Sequence, residues 1–432
     1  MRRGWVLALA SLTIVLVVVD LTAVTIALPD IRGDLGASLQ QVQWIVDAYA
    51  LSLAAALLPA GVLADRYGRR KLLAIGVTVF TLASLACALA PNALTLDIAR
   101  GLQGLGASAL YGTTTPLIAA AYPEGPERGK ALGVFSAVSG LAMTLGPVVG
   151  GALTGLFGWR AIFLINLPIG VLVLVGLRQR VAESRGAGHL DPLGLVLVTG
   201  ALFAIIPALI HGVPWLLVAG LAALVAFVVV ESRAATPMVD FGLFRNPVFS
   251  IGSVATFLML AALLGASTYL TIYVQGDLAA SPLETGTRFL AFSAAAVIGP
   301  VVIGRVLHKW PMGVLIAAGP LLVALSLGIM AIPAADPWVP IMSGLFVGGL
   351  GLGAGNVVAN QVGLSAPMDR VGMASGIVNT LKQMGTATGV AVLALPFRSG
   401  VTQMLAVAAG LALVGGLLPA ILAFRRAPAQ TV

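Results

Sequence analysis

Apolar runs of about twenty residues recur along the whole chain, from Trp5 to Phe424, separated by short stretches of Gly, Pro and charged residues. That length is what a helix needs to cross a hydrocarbon core. Only 9% of the 432 residues are charged and 59% are hydrophobic, where a soluble domain carries about a quarter charged. Backbone groups cannot stay unpaired in lipid, which leaves helical bundles and closed barrels. The alternating strands of about ten residues that mark a barrel are not seen. The expected fold class is all-α and polytopic, and the function lies within the membrane.

The runs predict helices at about 5–29, 41–64, 72–90, 94–121, 130–155, 160–178 and 192–211. Seven more fall at about 214–231, 246–275, 283–305, 311–332, 338–361, 371–396 and 401–424, giving about 14 transmembrane helices. The two longest inner connections, near Val181–Asp191 and Glu231–Arg245, flank the seventh and eighth helices. The second reads as a polar surface loop that re-enters the membrane at Phe244. The expected organisation is a six-helix bundle over 1–180, two additional helices with linkers over 181–240, and a second six-helix bundle over 241–432. Paired bundles with a faint internal echo are a common plan of secondary transporters. Here Gly61–Lys71 closes the second span and Ile303–Lys309 the second span of the last six.

With the N-terminus placed inside, eighteen of the 24 Lys and Arg fall on inner segments, four on outer segments and two, Arg100 and Lys382, within spans. This bias matches the positive-inside rule and puts both termini in the cytoplasm. It also accounts for the net charge of +8 by inner-leaflet headgroups rather than by nucleic acid. Cys87 stands alone inside the third span, so no disulfide framework is expected. The first run carries Asp20 and is too long for a cleaved signal peptide. The excess of Arg over Lys, with abundant Ala, Gly and Val, suggests a GC-rich bacterial gene.

Gly61-Val-Leu-Ala-Asp-Arg-Tyr-Gly-Arg-Arg-Lys71 resembles the inner-loop signature of the major facilitator superfamily. Asp20–Pro29 resembles the first-helix signature of its fourteen-span drug:proton antiporter family, and Arg100–Gly106 the fourth-helix arginine motif. Gly133, Gly146-Pro147 and Gly150-Gly151 resemble the fifth-helix antiporter motif, with Ala142 where Gly is usual. Trp159–Pro168 and Ser375–Gly385 are also similar to this family. The resemblance implies the major facilitator fold, two six-helix bundles plus two helices, and proton-coupled efflux. It also implies that the Gly61–Lys71 loop latches the cytoplasmic side of the outward-open state. Exporters of divalent cations in this family often carry an acidic residue deep in the last six spans, and this chain has none there.

The residues supply a chemistry that fits. Asp20 and Asp47 both lie in the outer half of the membrane, where an ionisable group is costly unless it is paired or faces water. Burial favours the protonated carboxyl and a nearby cation the carboxylate, so alternating access turns such a group into a proton carrier. Each could instead make a structural polar contact. Arg100 is at similar depth and needs a carboxylate partner, either Asp20 or Asp47 across the cavity or Asp97 three residues earlier. Asp65 lies eighteen residues beyond Asp47, about 27 Å along a helix, so the two cannot exchange a proton directly. It can accept from a neighbouring helix N-terminus or an arginine, with Gly61 and Gly68 allowing close approach and a tight turn. Arg66, Arg69 and Arg70 belong to this gating loop, and Arg69, Arg70 and Lys71 also set topology. Gly133, Gly146, Pro147, Gly150 and Gly151 expose bare helix surface for tight packing and offer a hinge.

Lys382 lies near the middle of the thirteenth helix beside Asn379 and Gln383. It could snorkel or bond carbonyls, or it could repel cationic cargo. Further cavity candidates are Tyr49, Gln103, Asn356, Asn360 and the pair Tyr269 and Tyr273, whose rings could stack on a flat ligand or simply pack. Asp20 and Asp47 set against Arg100 and Lys382 leave no spare negative charge for a dication, so neutral or monocationic amphipaths are the expected cargo. His189, His211 and His308 are scattered, without metal spacing. The expected function is a proton-coupled exporter in a bacterial cytoplasmic membrane, monomeric, in contact with lipid, with protons as coupling ion and no other cofactor. Export of a lipid or self-made antibiotic and proton-coupled symport stay open. A membrane enzyme or a sensor would need clustered carboxylates or a soluble domain.

Overall fold

Helix starts follow side-chain capping signals. Ser38 accepts from the Gln41 N–H while the Gln41 side chain accepts from the Ser38 N–H, satisfying two donors at a helix N-terminus. Asn92, Asp191 and Asn246 cap three others in the same spirit, the last two just ahead of a proline. The computed structural model describes residues 3–122, 125–186, 191–234, 239, 241–280, 282–307, 309–367 and 370–425. Among these are fifteen α-helices and no strand. The first seven are α1 (Arg3–Leu35), α2 (Leu39–Tyr67), α3 (Arg69–Ala88), α4 (Ala93–Ala121), α5 (Pro126–Phe157), α6 (Arg160–Leu164) and α7 (Asn166–Arg180). Then come α8 (Pro192–His211) and α9 (Pro214–Arg233). The last six are α10 (Pro247–Gly276), α11 (Pro282–Val306), α12 (Met312–Met330), α13 (Trp338–Gly363), α14 (Val371–Arg398) and α15 (Val401–Arg425).

Because α6 and α7 are separated only at Ile165, the described residues make fourteen rods close to the boundaries that the apolar runs predict. Ten are long and apolar enough to cross a membrane, and α5 makes an eleventh if its two halves, bent by 45° between Met143 and Val148, are taken together. The bend falls where Gly146 and Pro147 interrupt the backbone ladder. Below that threshold are α4 and α14, rich in Gly, Thr and amide side chains; of α8, the stretch Leu193–Leu209 is apolar. Neighbouring helices, not lipid, cover much of α4 and α14, so their polarity costs little.

Within the first seven helices α1 packs on α5, and α4 on both α2 and α3. Within the last six α10 packs on α14 and α15, α12 on α13 and α15, and α11 on α13. Two seams join these groups, α5 with α11 and α2 with α14. The pair α8 and α9 pack on each other, and α8 lies on both α2 and α14. The segment expected as a polar loop re-entering at Phe244 instead holds a 3-10 turn, Phe241–Arg245, with Leu243 buried and the Phe244 ring 5.3 Å from that of Phe249. Residues 235–238 and 240 of that connection, and His189 and His308, lie outside the described residues.

Candidate functional site

Three groups of candidate residues form three separate constructions. The first is a buried polar cluster. Arg100 of α4 reaches across to α1, and its Nη1 pairs with Asp20 Oδ2 at 2.5 Å, both side chains fully buried. Nη1 also donates to Gln103 Oε1 at 2.7 Å, and Nε to the Ile45 carbonyl at 3.0 Å. The other Asp20 oxygen accepts from Gln103 Nε2 at 2.8 Å and from Asn166 Nδ2 at 2.9 Å. Both amides donate to Ser84 Oγ as well. The Tyr49 ring lies 4.2 Å from the guanidinium carbon, a cation–π contact beside Nη2, which has no hydrogen-bond partner among the described residues.

This settles which carboxylate Arg100 takes. It is Asp20; Asp47 sits half-buried on α2, and Asp97 has a buried Oδ1 with no hydrogen-bond partner among the described residues. Removing one member of such a buried pair costs about 3–5 kcal/mol, because the other charge is left uncompensated. Gln103 and Tyr49, expected along the substrate cavity, belong instead to this sealed cluster. Asn166 and Ser84 had no role assigned from sequence. Asn166 reaches Asp20 because α7 begins at that residue, and Trp159, packed edge-on against Phe163 and bonded to Asp34, anchors the segment ahead of it.

The second construction is the Gly61–Lys71 loop at the far end of α2. Asp65 and Arg69 are each about 1% exposed and paired at 2.9 Å. Asp65 Oδ2 accepts from the Met373 N–H at 2.9 Å, with the Gly372 N–H also donating to this carboxylate. The carboxylate therefore caps the N-terminus of α14, in the other helix group. A Cβ on Gly61 would collide with the Gly372 carbonyl, and one on Gly372 would sit 2.5 Å from Asp65 Oδ1. Gly68, at φ +114, makes the turn that L side chains rarely adopt. Glu183, unassigned from sequence, accepts from the Arg70 and Lys71 N–H groups at 2.9 and 3.0 Å and so caps α3. The Arg70 guanidinium is 3.8 Å from Glu183, and Arg66 is exposed over the Tyr67 ring.

The fifth-helix glycines divide in two. Gly133 faces α11, where a Cβ would stand 3.0 Å from the Pro300 carbonyl. Gly146 and Gly150 face α1, against Thr22 and Ala23, one turn from Asp20, whereas Gly151 meets only Ile26 at 3.9 Å. Of Pro147 the backbone position within the bend is described.

The third construction is a central cavity of about 220 Å³ between the helix groups. Asn356, Asn360, Asn379 and Lys382 line it together, joined by Ser136, Ser139, Gln383 and Thr386. Its wall on the α1 side is Ile14, Val18, Leu21 and Thr22. Asp20 lies two residues from Val18, about 200° round the helix, and so faces away from the cavity. Tyr269 and Tyr273 do not line it. Tyr269 donates to the Val390 carbonyl at 2.7 Å with its ring 4.9 Å from that of Phe397, and Tyr273 lines two other hollows near Phe397 and Ile332.

The family model described as Major Facilitator Superfamily matches residues 10–390, with a second match over 252–431. The chain belongs to the major facilitator superfamily. It is 34% identical to the multidrug resistance protein Stp of Mycobacterium tuberculosis over 407 residues, 91% of this chain and 76% of that protein. It is 35% identical to the tetracenomycin C resistance and export protein of Streptomyces glaucescens, covering 92% of this chain and 77% of that one. It is 36% identical to the puromycin resistance protein pur8 of Streptomyces alboniger, covering 91% and 81%. The human organic anion transporter MFSD10 (TETRAN) shares the fold at a TM-score of 0.75 and 14% identity, over 97% of this chain and 100% of that one. The chain is thus a multi-pass membrane transporter with bacterial drug-resistance and export proteins among its relatives.

Proposed function

We propose that this transporter is a proton-coupled exporter of amphipathic small molecules, working by alternating access in the fourteen-span branch of the superfamily. The observation that carries the reading is the sealed Asp20–Arg100–Gln103–Asn166 cluster on the back of α1, the helix whose front lines the central cavity. A carboxylate held by an arginine inside the bundle is a proton site once access or competition loosens the pair. Asp47 is the second acidic candidate. In this reading all fourteen rods cross the membrane, as two six-helix bundles over 1–180 and 241–432 with the pair between them.

Arg66, Arg70, Lys71, Arg128 and Lys130 gather at the Asp65 end, which supports placing that end and both termini in the cytoplasm of a bacterium. The close approaches Gly61–Gly372, Gly376–Leu58, Gly129–Gly304 and Gly133–Pro300 all join the helix groups on that side, which supports a state closed inward. The relatives named for resistance to tetracenomycin C and puromycin favour an antibiotic-like cargo over a nutrient. Lys382 on the cavity wall argues against dications, and of the two classes expected from sequence it favours neutral molecules over monocations. The protein acts as a monomer among lipids, with protons as the coupling ion.

Inverted vesicles test the reading. Asp20→Asn keeps the volume and removes the titration. Drug uptake driven by an imposed pH gradient is expected to be lost in Asp20→Asn while the protein still reaches the membrane. Retained proton-coupled uptake would overturn Asp20 as the proton site and promote Asp47.

A further inference from the structure

The charge that faces the cavity differs from the charge buried behind it. Among the described residues lining the cavity, Lys382 is the one with a formal charge. The acid closest along α1, Asp20, is turned away and fully engaged by Arg100, Gln103 and Asn166. Lys382 Nζ donates to Asn360 Oδ1 at 3.4 Å, a long contact. Asn360 Nδ2 in turn points to Ser136 Oγ at 3.5 Å on the facing helix α5. An ammonium carries three N–H donors and no acceptor, so one long bond to a neutral amide leaves most of its donor capacity turned to the cavity. Asn356, Asn379 and Gln383 stand on the same wall. The rest of the lining includes apolar side chains of α1 and α10, among them Val18, Leu260 and Leu264.

An apolar chamber with one convergent cation and several amide donors recognises a molecule that is apolar at one end and anionic at the other. We infer that Lys382 is an anion-binding residue and that the cavity takes weakly acidic amphipaths, with a carboxylate or phenolate on Lys382 and an aromatic or aliphatic body against α1 and α10. The inference rests on the exporter reading for the word cargo, but the site is defined by binding alone. It narrows the sequence-based expectation of neutral or monocationic cargo, since a cation placed beside Lys382 meets like charge in a low-dielectric chamber.

Three probes sharing one ring system separate charge from shape: 2-naphthoate, its neutral amide 2-naphthamide, and 2-naphthylmethylammonium. Fluorescence titration of the purified full chain in detergent is expected to give the order naphthoate, then naphthamide, then the ammonium, with about tenfold between the first two. Lys382→Gln should weaken naphthoate about tenfold, leave naphthamide within about twofold, and improve the ammonium. Lys382→Arg should keep the wild-type order. If Lys382→Gln weakens naphthoate and naphthamide alike, or if the wild type shows no preference for naphthoate, the inference fails. Should Lys382→Gln not fold, the wild-type order and Lys382→Arg decide it. No proton gradient enters these titrations. Absence of proton-coupled drug uptake by the unaltered protein would therefore sink the exporter reading without touching this result, and absence of charge preference would sink this inference while leaving proton coupling intact.

Discussion

Neutralising Asp65 should open the seam that it caps, and the structure sets how far. The ion pair of Asp65 with Arg69 lies within one helix group, four residues apart, so it survives when the groups separate. What separation removes is the contact with α14, where Asp65 Oδ2 accepts from the Met373 N–H at 2.9 Å and the Gly372 N–H also donates to the carboxylate. A hydrogen bond to a charged group contributes about 1.5–3 kcal/mol. Asparagine keeps the size and one acceptor, so Asp65→Asn forfeits only the charge-assisted share, about 1.5 kcal/mol. That corresponds to about a tenfold fall in the ratio of closed to open forms. Spin labels on cysteines at the exposed positions Lys71 and Arg305 straddle that end of the molecule, and native Cys87 is buried. Pulsed dipolar spectroscopy should show the short distance depopulated by about that factor. Gly372→Ala keeps every charge but puts a Cβ 2.5 Å from Asp65 Oδ1, so it should shift the distribution the same way. Distances unchanged in both variants, or weakened drug binding with normal turnover in Asp65→Asn, would refute the latch.

Two further outcomes are expected. Gly150→Ala puts a Cβ 2.6 Å from the Ala23 carbonyl and should force α1 off α5 at a cost of about 1–3 kcal/mol, lowering transport in vesicles, whereas Gly151→Ala, with only Ile26 at 3.9 Å, should transport normally. Glu183→Ala removes the acceptor of the Arg70 and Lys71 N–H groups, so at about 1 kcal/mol per lost cap it should lower the apparent Tm of the detergent-solubilised protein; an unchanged melt would show that the cap carries no stability.

Helix number and boundaries were legible because lipid imposes one length and one composition on whatever faces it. The rods α4 and α14 satisfy that rule less well, and the residues responsible, Arg100, Gln103, Asn379 and Lys382, are the ones that face other helices or the cavity. Asp20 and Arg100 stood out because a charge within a span needs a partner, but the choice between Asp20 and Asp47 depended on how α4 is rotated against α1 and α2. Spacing within one helix carries no such information. Asn166 and Ser84 are short neutral side chains, abundant elsewhere, and nothing but the three-dimensional meeting of α1, α3, α4 and α7 marks them. Glu183 looked like one more charge in a connection, and Met373 contributes only its backbone. Tyr269 and Tyr273 show the reverse error, since an aromatic pair four residues apart shares a helix face without that face being the cavity.

The separation between Asp20, the proposed proton site, and the cavity bears on how the proposed exchange is coupled. Asp20 and the cavity wall of Val18, Leu21 and Thr22 are opposite faces of one helix, so proton and cargo need not touch to compete. Protonating Asp20 discharges one member of the buried pair and leaves Arg100 to the Ile45 carbonyl, Gln103 and the Tyr49 ring. The balance that holds α1 against α4 changes by the few kcal/mol such a pair commands. On its other flank α1 is held to α5 by Gly146 and Gly150, where the backbones already touch, and α5 forms the seam with α11. A shift of α1 therefore reaches the cavity wall and the seam together. In the proposed exchange, coupling runs through the position of a helix, and tolerance of many cargo shapes follows, because a proton site at Asp20 never has to recognise the molecule it exchanges with.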